Sequence, residues 1–244
     1  LIRVATIVKN EEHRYWRSAL EAWQTFAEDI IVFDDDSEDD TRKIADEMGC
    51  DTFNLIDNTD MWGNETPHRA ALFNYAMSKA EVDDVIFWLD ADMVPAKDPT
   101  KFFDVEGPRS WAFKLYDLWA PSMYRTDEFW RGHLYPRVWA IRKPADYTAS
   151  DNIWEGRGIH SGHIPASWWK KDSNFMPQMM MPADLSLLHY GYYTPRDRYD
   201  RDERYQSVKF HLTPEEIAHA ETILDVEPVL RQLPFTPTLT LRHE

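Results

Sequence analysis

The stretch "FWLDADMVP" (87–95) ends an apolar run in two acids, Asp90 and Asp92, one residue apart. Along a strand, residues i and i+2 point to the same side, so the two carboxylates converge where the strand ends. Hard divalent cations such as Mg²⁺ and Mn²⁺ take oxygen ligands and share them with substrate phosphates. In open α/β sheets, ligands sit outside the carboxyl ends of strands. The pair therefore reads as a metal site that receives a nucleotide diphosphate; an isolated D-x-D would otherwise be a solvated turn with a helix cap. A second run, "IVFDDDSEDDT" (31–41), also ends in acids. Asp34 could accept a ring N–H from a nucleobase there, while Ser37, Asp39 and Asp40 offer helix caps. "HRAALFN" puts Arg69 at the start of a helix, where the helix dipole gives a cation nothing. Arg69 is then either a surface salt bridge or a phosphate or base contact.

These side chains need strands and helices to hold them. "IRVATIV" (2–8), "DIIVF" (29–33), "DTFNLI" (51–56) and "DVIFWL" (84–89) read as strands. Apolar residues at Trp16, Ala19, Leu20, Trp23 and Phe26 give helical spacing over 11–27. "TRKIADEM" (41–48) and "PHRAALFNYAMSKA" (67–80) read as helices, the first stopped by Gly49 and the second with Pro in its first turn. Strands alternating with helices predict an α/β fold with a largely parallel sheet. Past residue 95, Pro, Trp and Tyr become dense and helical periodicity fades until "TPEEIAHAETIL" (213–224), where Thr213 and Glu216 form a capping box. The expected layout is one domain over 1–212, with a nucleotide-binding half (1–95) and a loop-rich acceptor half (96–212), and then a helical tail (213–244).

The chain has 244 residues, with Lys+Arg 27 against Asp+Glu 43 and a net charge of −16. A field of that sign opposes non-specific nucleic-acid binding, and an anionic substrate would need a metal or an arginine at its site. No apolar run reaches the roughly 18–20 residues of a membrane span, and the opening "LIRVATIVKN" has no signal-peptide pattern. The single cysteine, Cys50, excludes an internal disulfide, and the expected compartment is the cytoplasm.

"VATIVKNEE", "FDDDSEDDT", "HRAALFN" and "WLDADMVP" occur in the order and spacing of glycosyltransferase family 2, which they resemble as a set over about residues 2–95. The resemblance implies the GT-A fold: a Rossmann-like, mostly parallel central sheet flanked by helices. It implies that Ile7, Lys9, Glu11 and Asp34 hold the uracil and ribose, and that Arg69 and Ala91 belong to the donor nucleotide site. It places Mn²⁺ or Mg²⁺ on Asp90 and Asp92. Asp36 stands where the family's "DDGS" loop has glycine, so that loop need not keep the family shape.

In the second half, "LHYGYYTPRDRYDRDERY" (188–205) is similar to a "H-Y-G-Y" segment in one branch of the family, which makes His189 a third metal ligand or a diphosphate contact. "NIWEGRGIHSGHIP" (152–165) resembles that branch's "G-x-x-H-E" segment, with Ser161 in place of the glutamate. An inverting enzyme needs a base for the acceptor hydroxyl. The candidates are Asp151, Glu155, His160 and Asp184, with Glu155 and His160 preferred. His160 and His163 could instead begin a zinc site with His189, although no cysteine assists. Trp168 and Trp169, beside Lys170 and Lys171, read as an aromatic acceptor platform. The glycines at 156, 158 and 162 fit neither a dinucleotide nor a phosphate loop.

The sequence thus points to a metal-dependent glycosyltransferase that moves a sugar from a nucleotide-diphosphate donor, UDP-linked, to an acceptor hydroxyl with inversion. The acceptor could be a glycan, a protein, a small molecule or a modified nucleic acid. The rival readings are a sugar-nucleotide-binding module without transfer and a nucleotidyltransferase.

Overall fold

The structure is a computed structural model that describes residues 1–54, 64–127, 129–154, 162–168 and 178–243. The first half alternates as expected: β1 (Ile2–Val8), α1 (Trp16–Trp23), β2 (Asp29–Asp34), α2 (Thr41–Glu47), β3 (Asp51–Phe53), α3 (Thr66–Lys79), β4 (Val85–Trp88). β1 pairs in parallel with both β2 and β4, and β2 with β3. The chain winds outward from β1 to β3 and then returns to β1's other side for β4. That reversal leaves a crevice beyond the carboxyl ends of β1 and β4, where open α/β sheets bind ligands.

Strand alternation divides the core between the two faces of this sheet. Val4, Val8, Ile30, Val32 and Phe87 pack against Trp16, Leu20 and Trp23 of α1. Ala5, Ile7, Ile31, Phe33 and Trp88 pack against Leu72, Phe73 and Met77 of α3. α1 is shorter than its apolar spacing predicts. The backbone N–H groups of Glu11 and Glu12 donate to Thr41 Oγ1 (2.7 Å) and Asp39 Oδ2 (3.2 Å), which diverts residues 11–15 into a turn.

The second half is richer in strands than its composition suggests. After β5 (Met93–Pro95) and the short α4 (Thr100–Phe103) come β6 (Ser110–Phe113), β7 (Leu115–Ala120), β8 (Met123–Arg125) and β9 (Arg137–Arg142). Later come β10 (Gln178–Met180), β11 (Leu187–His189), α5 (Pro195–Ser207), α6 (Pro214–Glu221) and β12 (Leu230–Gln232). The main sheet runs β10-β6-β9-β4-β1-β2-β3 and is mostly parallel, β9 being antiparallel to both its neighbours. A second sheet runs β12-β8-β7-β11-β5. These strands are three to six residues long, too short for a clear alternating pattern.

The residues after 213 are only partly helical. α6 stops at Glu221, and β12 then joins β8 antiparallel. Arg125 fastens this segment: its guanidinium lies buried between the Trp119 and Trp130 rings (4.8 and 4.9 Å) and pairs with Asp225 and Asp127. No helix among the described residues is long and apolar enough to cross a membrane.

Candidate functional site

The crevice is an open cleft of about 1140 Å³. From the first half its walls carry Ile7, Lys9 and Glu11 beyond β1, Arg69 of α3, and Asp90, Ala91 and Asp92 beyond β4. His189 reaches it from β11. Register explains that last arrival. β11 lies between β5 and β7, with His189 opposite Met93 on one side and Asp117 on the other. The imidazole is thus delivered next to Asp92, and Asp117 Oδ1 accepts from His189 Nδ1 at 2.7 Å. His189 Nε2 then faces Asp92 Oδ1 at 3.5 Å. Burial alone would lower the imidazole's pKa, but Asp92 and Asp117 outweigh it and raise it to about 9.

The two acids of the D-x-D pair have different partners. Asp92 is buried, and its Oδ2 pairs with Arg201 of α5 (2.9 Å) and with Arg14 (3.5 Å), leaving Oδ1 toward His189. Asp90 Oδ1 accepts from Arg69 Nη2 (3.2 Å) and lies 3.0 Å from His163 Nε2. Burial works against ionising both acids, yet these cationic and N–H partners hold both carboxyls well below the ordinary aspartate value. His163 is itself buried, packed on Trp139 at 4.5 Å, and held below the usual histidine value by burial and by Arg69. Its Nε2 is the ring atom that faces Asp90.

Among the described residues, no group of three or more His, Cys, Asp or Glu side chains is arranged to hold a metal ion unaided. The donor chemistry still fits a divalent cation that shares its shell with substrate oxygens: a carboxylate oxygen, an imidazole nitrogen, and a second carboxylate that orients the imidazole. Gly191 supports this fit. A Cβ there would press on the Arg201 guanidinium, on His189 Nε2 at 2.5 Å and on Asp92 Oδ2 at 2.9 Å. Only a hydrogen leaves the cluster room.

The remaining predicted residues divide between the cleft and other places. Lys9 reaches Asp35 at 3.1 Å, and Glu11 pairs with Arg14 at 2.9 Å. Arg69 is no surface salt bridge: it is buried between Glu65 and Asp90, and its Nη1 has no hydrogen-bond partner among the described residues. Asp34 is not on the cleft wall. Its Oδ1 accepts from the Ser37 hydroxyl (2.5 Å) and the Ser37 N–H (3.2 Å), and burial raises its pKa. Asp36 adopts φ +53°, the left-handed region that favours glycine. Asp39, not Asp40, accepts from the Thr41 N–H that opens α2.

Glu155 and His160, the preferred bases, lie outside the described residues, as do the Asp151 side chain and Trp169, Lys170 and Lys171. Asp184 is not a base in this cleft: it is bound to Lys97 at 2.7 Å and is not among the lining residues. Trp168 is not an exposed platform. It is buried against Phe73 and donates to Asn152 Oδ1 at 2.8 Å.

Asp117, Gly191, Arg14 and Arg201 escaped the sequence reading, and His163 entered it only as a possible zinc ligand. Only Arg201 carried a signal, as a basic residue following "HYGYY" on a helix whose start is fixed by Thr194 and Asp197.

Residues 4–101 match the family described as Glycosyl transferase family 2. No curated protein matches the chain. Among solved structures, it is similar to glucosyl-3-phosphoglycerate synthase from Mycobacterium tuberculosis in complex with Mn²⁺, UDP and glucosyl-3-phosphoglycerate. That likeness has 13% identity and a TM-score of 0.48, and covers 99% of this chain and 89% of that one. It is also similar to a mannosyltransferase from Pyrobaculum calidifontis in complex with GDP-Man and Mn²⁺, at 12% identity and a TM-score of 0.48, covering 91% and 69%. The matched segment contains the four motifs that carried the resemblance to glycosyl transferase family 2 and lies on the strands that build the crevice.

Proposed function

We propose that the cleft transfers a sugar from a nucleotide-diphosphate donor, UDP-linked, to an acceptor hydroxyl with inversion, using Mn²⁺ or Mg²⁺. The observation that carries this reading is the meeting of Asp92 and His189 at the switch point, ringed by Lys9, Arg69 and Arg201. Asp92 Oδ1 and His189 Nε2 are the protein atoms suited to the cation, with Asp90 beside them and diphosphate oxygens completing the shell. When bound, the cation supplies positive charge to the departing diphosphate.

The chain's own residues do the rest. Arg69 and Lys9 add fixed cationic charge on the side of β1, where leaving-group charge develops. His189, Arg201 and Arg14 keep Asp92 ionised, and the two arginines hold it in place. Ile7 and Ala91 give the nucleoside an apolar floor, and Asp34, at the end of the adjacent β2, is assigned to the uracil. The bond from the anomeric carbon to the diphosphate oxygen breaks, the bond to the acceptor oxygen forms, and the acceptor's proton passes to a base. Glu155 and His160 remain the candidates for that base.

The test is incubation with a panel of radiolabelled sugar nucleotides, with and without Mn²⁺. Slow, metal-dependent release of sugar from a UDP-linked donor supports the reading. Binding of donor without any turnover points to a binding module, and turnover unaffected by chelator contradicts the metal assignment.

A further inference from the structure

The loop from Phe129 to Arg137 forms one wall of the cleft, on the opposite side of β4 from the donor strands. The sheet order β9-β4-β1-β2 separates the two sides. The loop is a compact turn: the Leu134 and Tyr135 N–H groups both donate to the Arg131 carbonyl (2.9 and 3.3 Å). It is anchored at its middle. Leu115 N–H donates to the Gly132 carbonyl at 3.1 Å, and a Cβ on Gly132 would lie 2.9 Å from the Leu115 carbonyl oxygen. Leu115 starts the strand that carries Asp117, so the loop is fixed to the scaffold that orients His189.

Two cations on this loop, Arg131 and Arg137, line the cleft. Both are exposed, and neither guanidinium forms a hydrogen bond or an ion pair among the described residues. The donor-side cations differ: Lys9, Arg69 and Arg201 each face a carboxylate. In a chain of net charge −16, acids are plentiful, and two cleft arginines without a carboxylate mark a local positive field suited to an incoming anion. Arg137 and Trp139 are two residues apart on β9 and share a face. Trp139 packs on His163, which bonds to Asp90, and Arg137, Trp139 and His163 line the cleft together. Arg137 therefore lies one step outward from Asp90, and the exposed Tyr135 and Phe129 rings stand beside it on the wall.

We propose that Arg131 and Arg137 form an anion subsite for the acceptor, which carries a phosphate or carboxylate near its reacting hydroxyl, with Tyr135 and Phe129 covering its neutral part. The guanidinium fork matches either anion in two-point hydrogen bonding. The proposal rests on the reading of the β1/β4 side as the donor site, since that reading makes the opposite wall the acceptor's.

The test is calorimetry on the full chain with UDP and Mg²⁺ saturating. The probes are inorganic phosphate, glycerate and neutral glycerol, together with sedimentation of phosphatidylcholine vesicles with and without phosphatidic acid. Wild type should bind an anionic probe and not glycerol. Arg131→Gln and Arg137→Gln should each weaken that binding about tenfold, and the double variant should lose it, while UDP affinity stays unchanged. Binding of the soluble anions assigns a soluble acceptor; binding of only the anionic vesicles assigns a lipid phosphate. Undiminished anion binding in the double variant, or no binding of any anionic probe by wild type, overturns the proposal. The anion titrations are repeated without nucleotide, so a wild type that fails to bind UDP would remove the donor reading while the two arginines are still tested.

Discussion

The wall of this cleft beyond β1 and β4 and the wall beyond β11 are built by different means. On the β1/β4 wall, each side chain sits just past the end of its own strand, within a few residues of the motif that announces it: Lys9 and Glu11 after β1, Asp90 and Asp92 after β4. On the other wall, the site depends on register between strands far apart in sequence. His189 meets Asp117 only because β11 lies parallel to β7, and it meets Asp92 only because β11 lies antiparallel to β5. Local pattern positions the first wall, and long-range pairing positions the second.

The variants that most sharply test this contrast act where the walls join. Asp92→Asn should have the largest effect. It removes the carboxylate that pairs with buried Arg14 and Arg201, and breaking a buried pair costs about 3–5 kcal/mol. Metal-dependent UDP binding should vanish in calorimetry, and the thermal midpoint should drop as well. An unchanged midpoint would mean that the two arginines do not depend on Asp92. Gly191→Ala should follow, since its Cβ would enter the cluster. Overpacking costs about 1–3 kcal/mol, so metal-dependent UDP affinity should fall tenfold or more. Normal affinity would show that the cluster has slack.

Asp117→Asn comes next. A carboxylate behind a metal-ligating imidazole is typically worth about 10–100-fold in metal affinity. Mn²⁺ titration of the UDP complex should show a loss in that range, with uridine binding in the absence of metal unchanged. Equal loss in both would make Asp117 a packing residue.

The same contrast accounts for what could be read from sequence. "FWLDADMVP" announced Asp90 and Asp92 because a buried strand ending in paired acids is a local pattern. The Arg69 helix and the alternation of strands and helices in the first half were legible for the same reason. Asp117 was not: in "KLYDLWA" it is one acid in a six-residue strand, and only its pairing with β11 gives it a role. His163 drew notice only as a possible zinc ligand, because its partner Asp90 lies 73 positions away. Trp168 was misread because adjacent tryptophans next to lysines look exposed, whereas its ring completes the α3 face of the core. Gly191 stood within a quoted motif, but the crowding that demands a glycine appears only when α5 brings Arg201 over it.

The smaller effects test the loop that follows β2. Asp34→Ala should weaken UDP by about 1.5–3 kcal/mol if it accepts a hydrogen bond from the base, and Mn²⁺ affinity should not change. Loss of stability alone, with UDP unaffected, would leave Asp34 as the anchor of Ser37. Asp36→Gly should change the least. It relieves a left-handed backbone that costs an L-residue roughly 1–2 kcal/mol, partly cancelled by glycine's entropy. A small rise in the thermal midpoint is expected, with donor binding intact.

The central claim, that a cation and a diphosphate meet where the two walls join, is tested most directly by anomalous diffraction from crystals soaked with UDP and Mn²⁺. The account predicts a manganese peak within bonding distance of both Asp92 and His189 Nε2, with diphosphate oxygens completing its shell. A peak that binds the nucleotide but not His189, or UDP bound in the cleft with no manganese beside Asp92, would contradict it.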